Sequence, residues 1–417
     1  MKPFPLGAAL LASLSIPVQA QDVSKATLKL HQSLITLDTH LDTPASLDLP
    51  GWSIEDEHDA TVDYTQVDLP RMKKGGLDGG FFAIYTTQGP LTREGYEKAR
   101  DFAILRGMSI RTMVAADPAN FTLATKASDA AGIAATRKRI VYMSIENAYP
   151  LGEDVSLIDL FFHMGVRVSG FAHFANNQFA DSATDPSKQA KWGGLSPLGK
   201  QLLVEMNRLG IVADASHSSD AVLDDLLALS KTPVLLTHSG CKAVYDHPRN
   251  IDDAHLRALA AKGGVIQMNA YGTYLKAAKP NPERQKAMTA LFAQMREGAK
   301  VSVEARAAFL RKRHEIDTLY PEIDPPTFDD FLAHLFHALK LVGPDHVGIG
   351  LDWDGGGGVR GLEDVTKIPR ITEALVKAGY SETEIGKIWS GNVLRLLKAA
   401  EVEAAAQRNK APPAPQS

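Results

Sequence analysis

Eight short β-rich runs recur along the chain, and they limit its fold more than any other feature. They cover residues 34–41, 80–85, 140–145, 166–172, 211–216, 233–237, 264–269 and 346–351, each rich in branched or aromatic residues and bounded by turn formers. Helical patterns separate them, among others at 97–115, 198–209, 220–229, 252–261 and 328–342. This alternation is how parallel strands are joined by right-handed crossovers, so the class is α/β. Eight units predict closure into a (β/α)8 TIM-type barrel with extra helices.

The longest departure from the alternation is residues 280–326, where charged helical stretches at 284–297 and 303–319 form an excursion over the barrel. A helical pair at 364–378 and 382–401 is expected to complete the shell, with Gly379 stopping its first member. The barrel domain is therefore assigned to 21–405. Ahead of it, Lys2, the apolar run from Leu6 to Ile16 and the small-residue site Val18-Gln19-Ala20 read as an export signal over 1–20. That run is short of the roughly twenty residues that span a bilayer, and no later segment is long and apolar enough to span. Residues 406–417, with Pro412, Pro413 and Pro415, read as a flexible polar tail. A periplasmic or secreted location follows as the expectation.

A formal charge of −4 leaves no basic footprint for nucleic acid or an anionic membrane, which points to a small-molecule partner. Cys241 is the single cysteine, so no intrachain disulfide exists, and a packed residue is favoured over a nucleophile there.

A barrel of this kind builds its active site at the C-terminal rim of the strands, and residues able to bind metal or move protons gather at that rim. The first strand ends Asp38-Thr39-His40-Leu41-Asp42, where alternation puts Asp38, His40 and Asp42 on one side. The third breaks from apolar residues into Glu146, a carboxylate whose burial is costly without a cation or donors. The fourth runs into His173, the fifth into His217 and the sixth into His238. Taken singly, the first motif reads equally as a polar strand end, and Glu146 or any one histidine reads more readily as an ordinary paired residue. Together His40, Asp42, Glu146, His217 and His238 supply the nitrogen and oxygen donors that two divalent ions need, with one carboxylate spanning a separation of roughly 3.5–4 Å. After the eighth strand come Asp352 and Asp354, which share strand parity, so spacing does not choose between them. His173 is able to donate to an oxyanion, and Arg249 in the loop after the sixth strand to clamp a carboxylate.

These residues resemble the membrane (renal-type) dipeptidase family over nearly the whole chain beyond the leader. The resemblance is carried by Asp38-Thr39-His40-Leu41-Asp42, by Ile145-Glu146-Asn147-Ala148 and by Gly194-Leu195-Ser196-Pro197-Leu198-Gly199 continuing to Asp214-Ala215-Ser216-His217. Thr237-His238-Ser239, Arg249-Asn250 and Gly350-Leu351-Asp352-Trp353-Asp354-Gly355 add to it. It implies a dipeptidase of the metal-dependent hydrolase kind with two zinc ions, His40 and Asp42 holding one, His217 and His238 the other, and Glu146 bridging. It implies that His173 contacts the scissile carbonyl oxygen, that Arg249 binds the substrate carboxylate, and that Asp352 rather than Asp354 shuttles the proton. Tolerance of a D-residue at the C-terminal position, opening of β-lactams in some members, and a homodimer are implied too. The chain departs from the pattern at Asn147, where many relatives have glycine, and over 176–181, where the family's Pro-Trp-Ala-Asp ending is missing. Those changes bear on side-chain preference. Two other readings compete: a different two-metal barrel hydrolase, acting on lactones, phosphotriesters or N-acyl amino acids, and a metal-containing binding protein without catalysis. No strand ends in the lysine that a carbamate-bridged relative requires.

Overall fold

A computed structural model of the chain describes residues 23–296 and 302–410. The expected export signal lies outside the described residues, as do residue 297 of the predicted insertion helix and the last seven residues of the predicted tail. The eight barrel strands are β1 (Leu37–Leu41), β2 (Gly79–Ile84), β3 (Arg139–Ile145), β4 (Val166–Gly170), β5 (Val212–Asp214), β6 (Leu235–Cys241), β7 (Val265–Met268) and β8 (Val347–Ile349). They pair in parallel and in chain order. Two short additions, Phe121–Leu123 beside β3 and Asn250–Ile251 beside β6, go beyond the eight predicted runs. At two or three residues, such strands leave no periodic signal in a sequence.

Alternation along the strands divides the core in two. Phe81, Tyr142, Val212, Leu235 and Val265 belong to one buried cluster, and their chain neighbours Phe82, Val141, Ala213, Leu236 and Ile266 to the other, which packs under the surrounding helices. The first cluster also takes in Val393, Leu396, Leu397 and Ala400 of the last helix, Asn392–Lys410. That helix packs on the interior residues of the barrel instead of only completing its shell, and it runs past the predicted end at 401 into the stretch assigned to the tail. Each fully buried Val, Leu or Phe contributes about 1.5–3 kcal/mol, so this end of the barrel is sealed by an apolar plug. Polar chemistry is left to the opposite end.

The barrel closes between β1 and β8 without a regular ladder. Asp42 N–H donates to Trp353 O at 2.8 Å, and Asp38 accepts from Leu351 N–H at 3.0 Å and from His40 N–H at 2.9 Å. Thr39 Oγ1 donates to Thr237 O at 2.6 Å, a close approach that glycine at 350 permits, since a Cβ there would run into the same carbonyl. Helix starts follow local chemistry: Ser196 caps Gly199 N–H with Pro197 in the first turn, and Thr327 forms a capping box with Asp330.

The predicted excursion is a helical hairpin, Pro282–Arg296 and Val303–Leu319, with the Phe292 and Phe309 rings 5.7 Å apart. It is fastened to the loop after β1, where Arg313 lies 3.5 Å over the Tyr64 ring and Tyr64 hydroxyl donates to Asp317. No described helix is long and apolar enough to cross a membrane. Cys241 is buried at the end of β6, burial pushes its thiol up to about 12, and its Sγ contacts His334 O at 3.5 Å, so it behaves as a packed residue.

Candidate metal centre at the barrel mouth

Four strand ends deliver the five predicted donors to one buried point, and β4 adds His173. Glu146, just past β3, places Oε1 3.2 Å from His173 Nε2, 3.3 Å from His217 Nε2, 3.8 Å from His40 Nε2 and 3.9 Å from His238 Nε2. His217 Nε2 lies 2.9 Å from His238 Nε2, and His40 Nε2 lies 3.4 Å from Asp42. Potential ligand atoms fall into three overlapping groups: His40, Glu146 and His238; Glu146, His173 and His217; His40, Asp42 and Asp352. The residues named for the site therefore converge except Arg249, which stands beside it, Asp38, whose oxygens are taken by the backbone of the seam, and Asp354, which is held by Thr43 and Gln66.

The donor set fits a divalent metal on its own chemistry. Buried and without a hydrogen-bond partner are His40 Nε2, Asp42 Oδ1, Glu146 Oε2 and His217 Nδ1, an accumulation that would be expensive in a site built only of protein. Burial holds His217 and His238 well below the usual imidazole range, with the Arg249 charge adding to it at both, so each is neutral with a lone pair to give. Burial would raise Glu146, but the surrounding imidazoles, His173 first, outweigh it and keep the carboxylate ionised. Neutral His217 and His238 beside a buried anion are what a cation needs.

Both aspartates after β8 fall outside strand geometry. The strand ends at Ile349, and Asp352 and Asp354 adopt left-handed backbone, φ 63° and 65°, so alternation does not govern them. Asp352 turns into the cluster, where Asn269 Nδ2 donates to it at 3.4 Å and burial pushes its carboxyl up to about 6. Asp354 turns away and accepts from Thr43 Oγ1 and Gln66 N–H, both at 2.6 Å, clipping the β1 loop to the β8 loop. His217 is left-handed as well, at φ 64°. Two of the converging side chains thus leave non-glycine positions in a sparsely populated conformation.

Arg249 is not surface. It is 2% exposed, Nη1 donates to Ser239 Oγ at 3.2 Å and Nη2 to His238 O at 3.0 Å, while Nε has no partner. Its guanidinium lies 5.5 Å from the Tyr274 ring centroid. Sequence reasoning passed over Tyr274, Asn269 and Tyr85; the Tyr85 ring meets His173 edge-on at 5.2 Å. Asn269 closes the seventh predicted run and Tyr85 the second, so the rule that found the histidines had already pointed at both.

The family model for "Membrane dipeptidase (Peptidase family M19)" matches residues 24–411. The chain belongs to the membrane dipeptidase family. It is a metallo-dipeptidase, a hydrolase of peptide bonds. It is similar to the dipeptidase tcpJ of Claviceps purpurea, 29% identical over 368 residues, 87% of this chain and 76% of that protein. Among solved structures it is similar to the probable dipeptidase PvdM from Pseudomonas aeruginosa, with 29% identity, a TM-score of 0.76, and coverage of 91% of this chain and 98% of that one. A second structure, the metallopeptidase called dipeptidase AC, matches at 26% identity and TM-score 0.68 over 88% and 98%. The family's metal dependence and the clustered donors agree.

Proposed function

We propose that this metallo-dipeptidase works with two zinc ions and cuts dipeptides that carry a free C-terminal carboxylate. His40 and Asp42 would hold one ion, His217 and His238 the other, and Glu146 would stand between, a reading supported by two of the three donor groups sharing Glu146 and by the His217 and His238 Nε2 atoms lying 2.9 Å apart. Bound there, the ions supply the charge that polarises the scissile carbonyl and makes the attacking water acidic. His173 points its Nε2 into the same space and donates to the oxygen as it gains charge. Asp352, near neutrality through burial and held by Asn269, receives a proton from the water and passes it to the departing amine.

The observation that carries this reading is Arg249. A buried guanidinium with an unpartnered Nε beside the metal cluster calls for an anion, and the terminal carboxylate of a dipeptide is one of the right size. The test is a panel of free-acid and C-amidated dipeptides assayed with and without chelator. Arg249→Ala should raise KM for the free acids by about 100-fold while leaving the amides nearly unchanged. Equal losses on both would refute the carboxylate role, and a chelator-resistant activity would refute the metals. The same proposal extends, on the family resemblance, to a D-residue at the C-terminal position, to β-lactams, and to a homodimer; L,D-dipeptides and a penem belong in the panel. Export to the periplasm rests on the leader-like residues 1–20.

A further inference from the structure

We propose that Asp214 and Thr237 form a positioning pair that sets the tautomer of His238 and so presents its Nε2 lone pair to the metal centre. This deepens the reading of His238 as a ligand and rests on it. Thr237 meets the donor cluster at His238 Nδ1 and Asp214 backs Thr237, and the roles assigned above leave both unused.

Three buried groups make a directed chain. Thr237 Oγ1 lies 2.5 Å from Asp214 Oδ2 and 2.9 Å from His238 Nδ1. A hydroxyl has one proton, and a carboxylate at this position only accepts, so the proton points to Asp214. The rival acceptor, Ser216 Oγ, is uncharged and farther away at 3.2 Å. Thr237 Oγ1 is then left as acceptor toward His238, whose Nδ1 must carry the hydrogen. In a neutral imidazole that commits Nε2 to be the bare nitrogen, the one 2.9 Å from His217 Nε2 and 3.9 Å from Glu146. Both carboxylate oxygens of Asp214 are engaged, since Oδ1 accepts Ser216 N–H at 2.9 Å and Thr237 N–H at 3.0 Å. The chain therefore begins at a carboxylate whose orientation the backbone fixes. His217 has no such support, its Nδ1 being buried without a partner.

The geometry makes the polarity testable. In Asp214→Asn the carbonyl oxygen must stay on the side of the two backbone N–H groups, which turns the amide NH2 toward Thr237. The hydroxyl then accepts from the amide and donates to His238 Nδ1, and the hydrogen moves to Nε2, the wrong side for a metal. Thr237→Val keeps the shape and removes the relay; Thr237→Ser keeps the hydroxyl.

The test uses full-length protein stripped by chelator and titrated with zinc alone against a chromophoric competitor, with thermal unfolding of the stripped proteins as the check on folding. Thr237→Val and Asp214→Asn should weaken one zinc equivalent by about 10–100-fold, while Thr237→Ser keeps the wild-type affinity. Histidine 15N shifts of the stripped protein should report Nδ1–H at His238 in the wild type and Nε2–H in Asp214→Asn. Wild-type affinity in folded Thr237→Val, or an equal loss in Thr237→Ser, overturns the relay, as does an Nε2–H tautomer in the wild type. If Asp214→Asn does not fold, the Val and Ser pair decides. Wild-type protein that binds no zinc would remove the metal reading itself, and the relay with it.

Discussion

Asp38 and Asp42 stand four residues apart on one strand end, and the structure treats them in opposite ways. Asp38, at the seam, has its oxygens filled by the backbone N–H groups of His40 and Leu351. Asp214 is likewise filled, by two amides and a hydroxyl. One level outward, Asp42 Oδ1 and Glu146 Oε2 have no partner. Imidazoles divide in the same way. His31, far from the mouth, accepts at Nδ1 from Thr372 (2.7 Å) and donates from Nε2 to Gly75 O (3.0 Å), whereas His217 Nδ1 has no partner. Buried polar groups that complete themselves hold the barrel together; those left incomplete are reserved for something that binds.

The largest effect that could break this division belongs to Glu146. Glu146→Gln should cut kcat/KM for dipeptides by on the order of 10³-fold in protein that remains folded, because it removes the anion shared by two of the donor groups. A loss within tenfold would place the centre elsewhere. The seam should answer in stability instead: Asp38→Asn turns an amide donor toward a backbone donor and should cost about 1–3 kcal/mol in denaturant unfolding of metal-free protein, with Asp42→Asn costing distinctly less. The reverse order would erase the distinction between the two aspartates.

The effect confined to the narrowest conditions concerns acid. Burial holds His31 down to about 4 from 6.5, so the folded state favours the neutral ring. Its contribution to stability is complete above pH 6.5 and fades as pH falls toward 4, where the unfolded chain binds a proton that the folded one refuses. The slope there should approach about 1.4 kcal/mol per pH unit, and about 3 kcal/mol in all, and His31→Gln should flatten it. An unchanged slope in His31→Gln would assign the acid loss to other groups.

Much of this was legible from residue order. Apolar strands announce themselves by length and period, and His40, Glu146, His217 and His238 stand where those runs break off. What stayed hidden has physical reasons. Asp352 and Asp354 could not be told apart by parity because both sit at positive φ beyond the end of β8, where the alternation of side chains no longer holds. The burial of Arg249 could not be read from its loop, since it depends on Tyr274 and on the carbonyl of His238, contacts made only when distant segments meet. The relay through Thr237 depends on which hydroxyl lone pair faces which nitrogen, a matter of rotamers that spacing does not encode.

The central claim is that the unfilled donors around Glu146 are a two-ion centre for peptide hydrolysis. Zinc titrated into chelator-stripped protein, with hydrolysis of a free-acid dipeptide as the readout, tests it most directly. Turnover should rise from background and level off at two equivalents. Turnover that survives stripping, or that zinc at any ratio fails to restore, would contradict it.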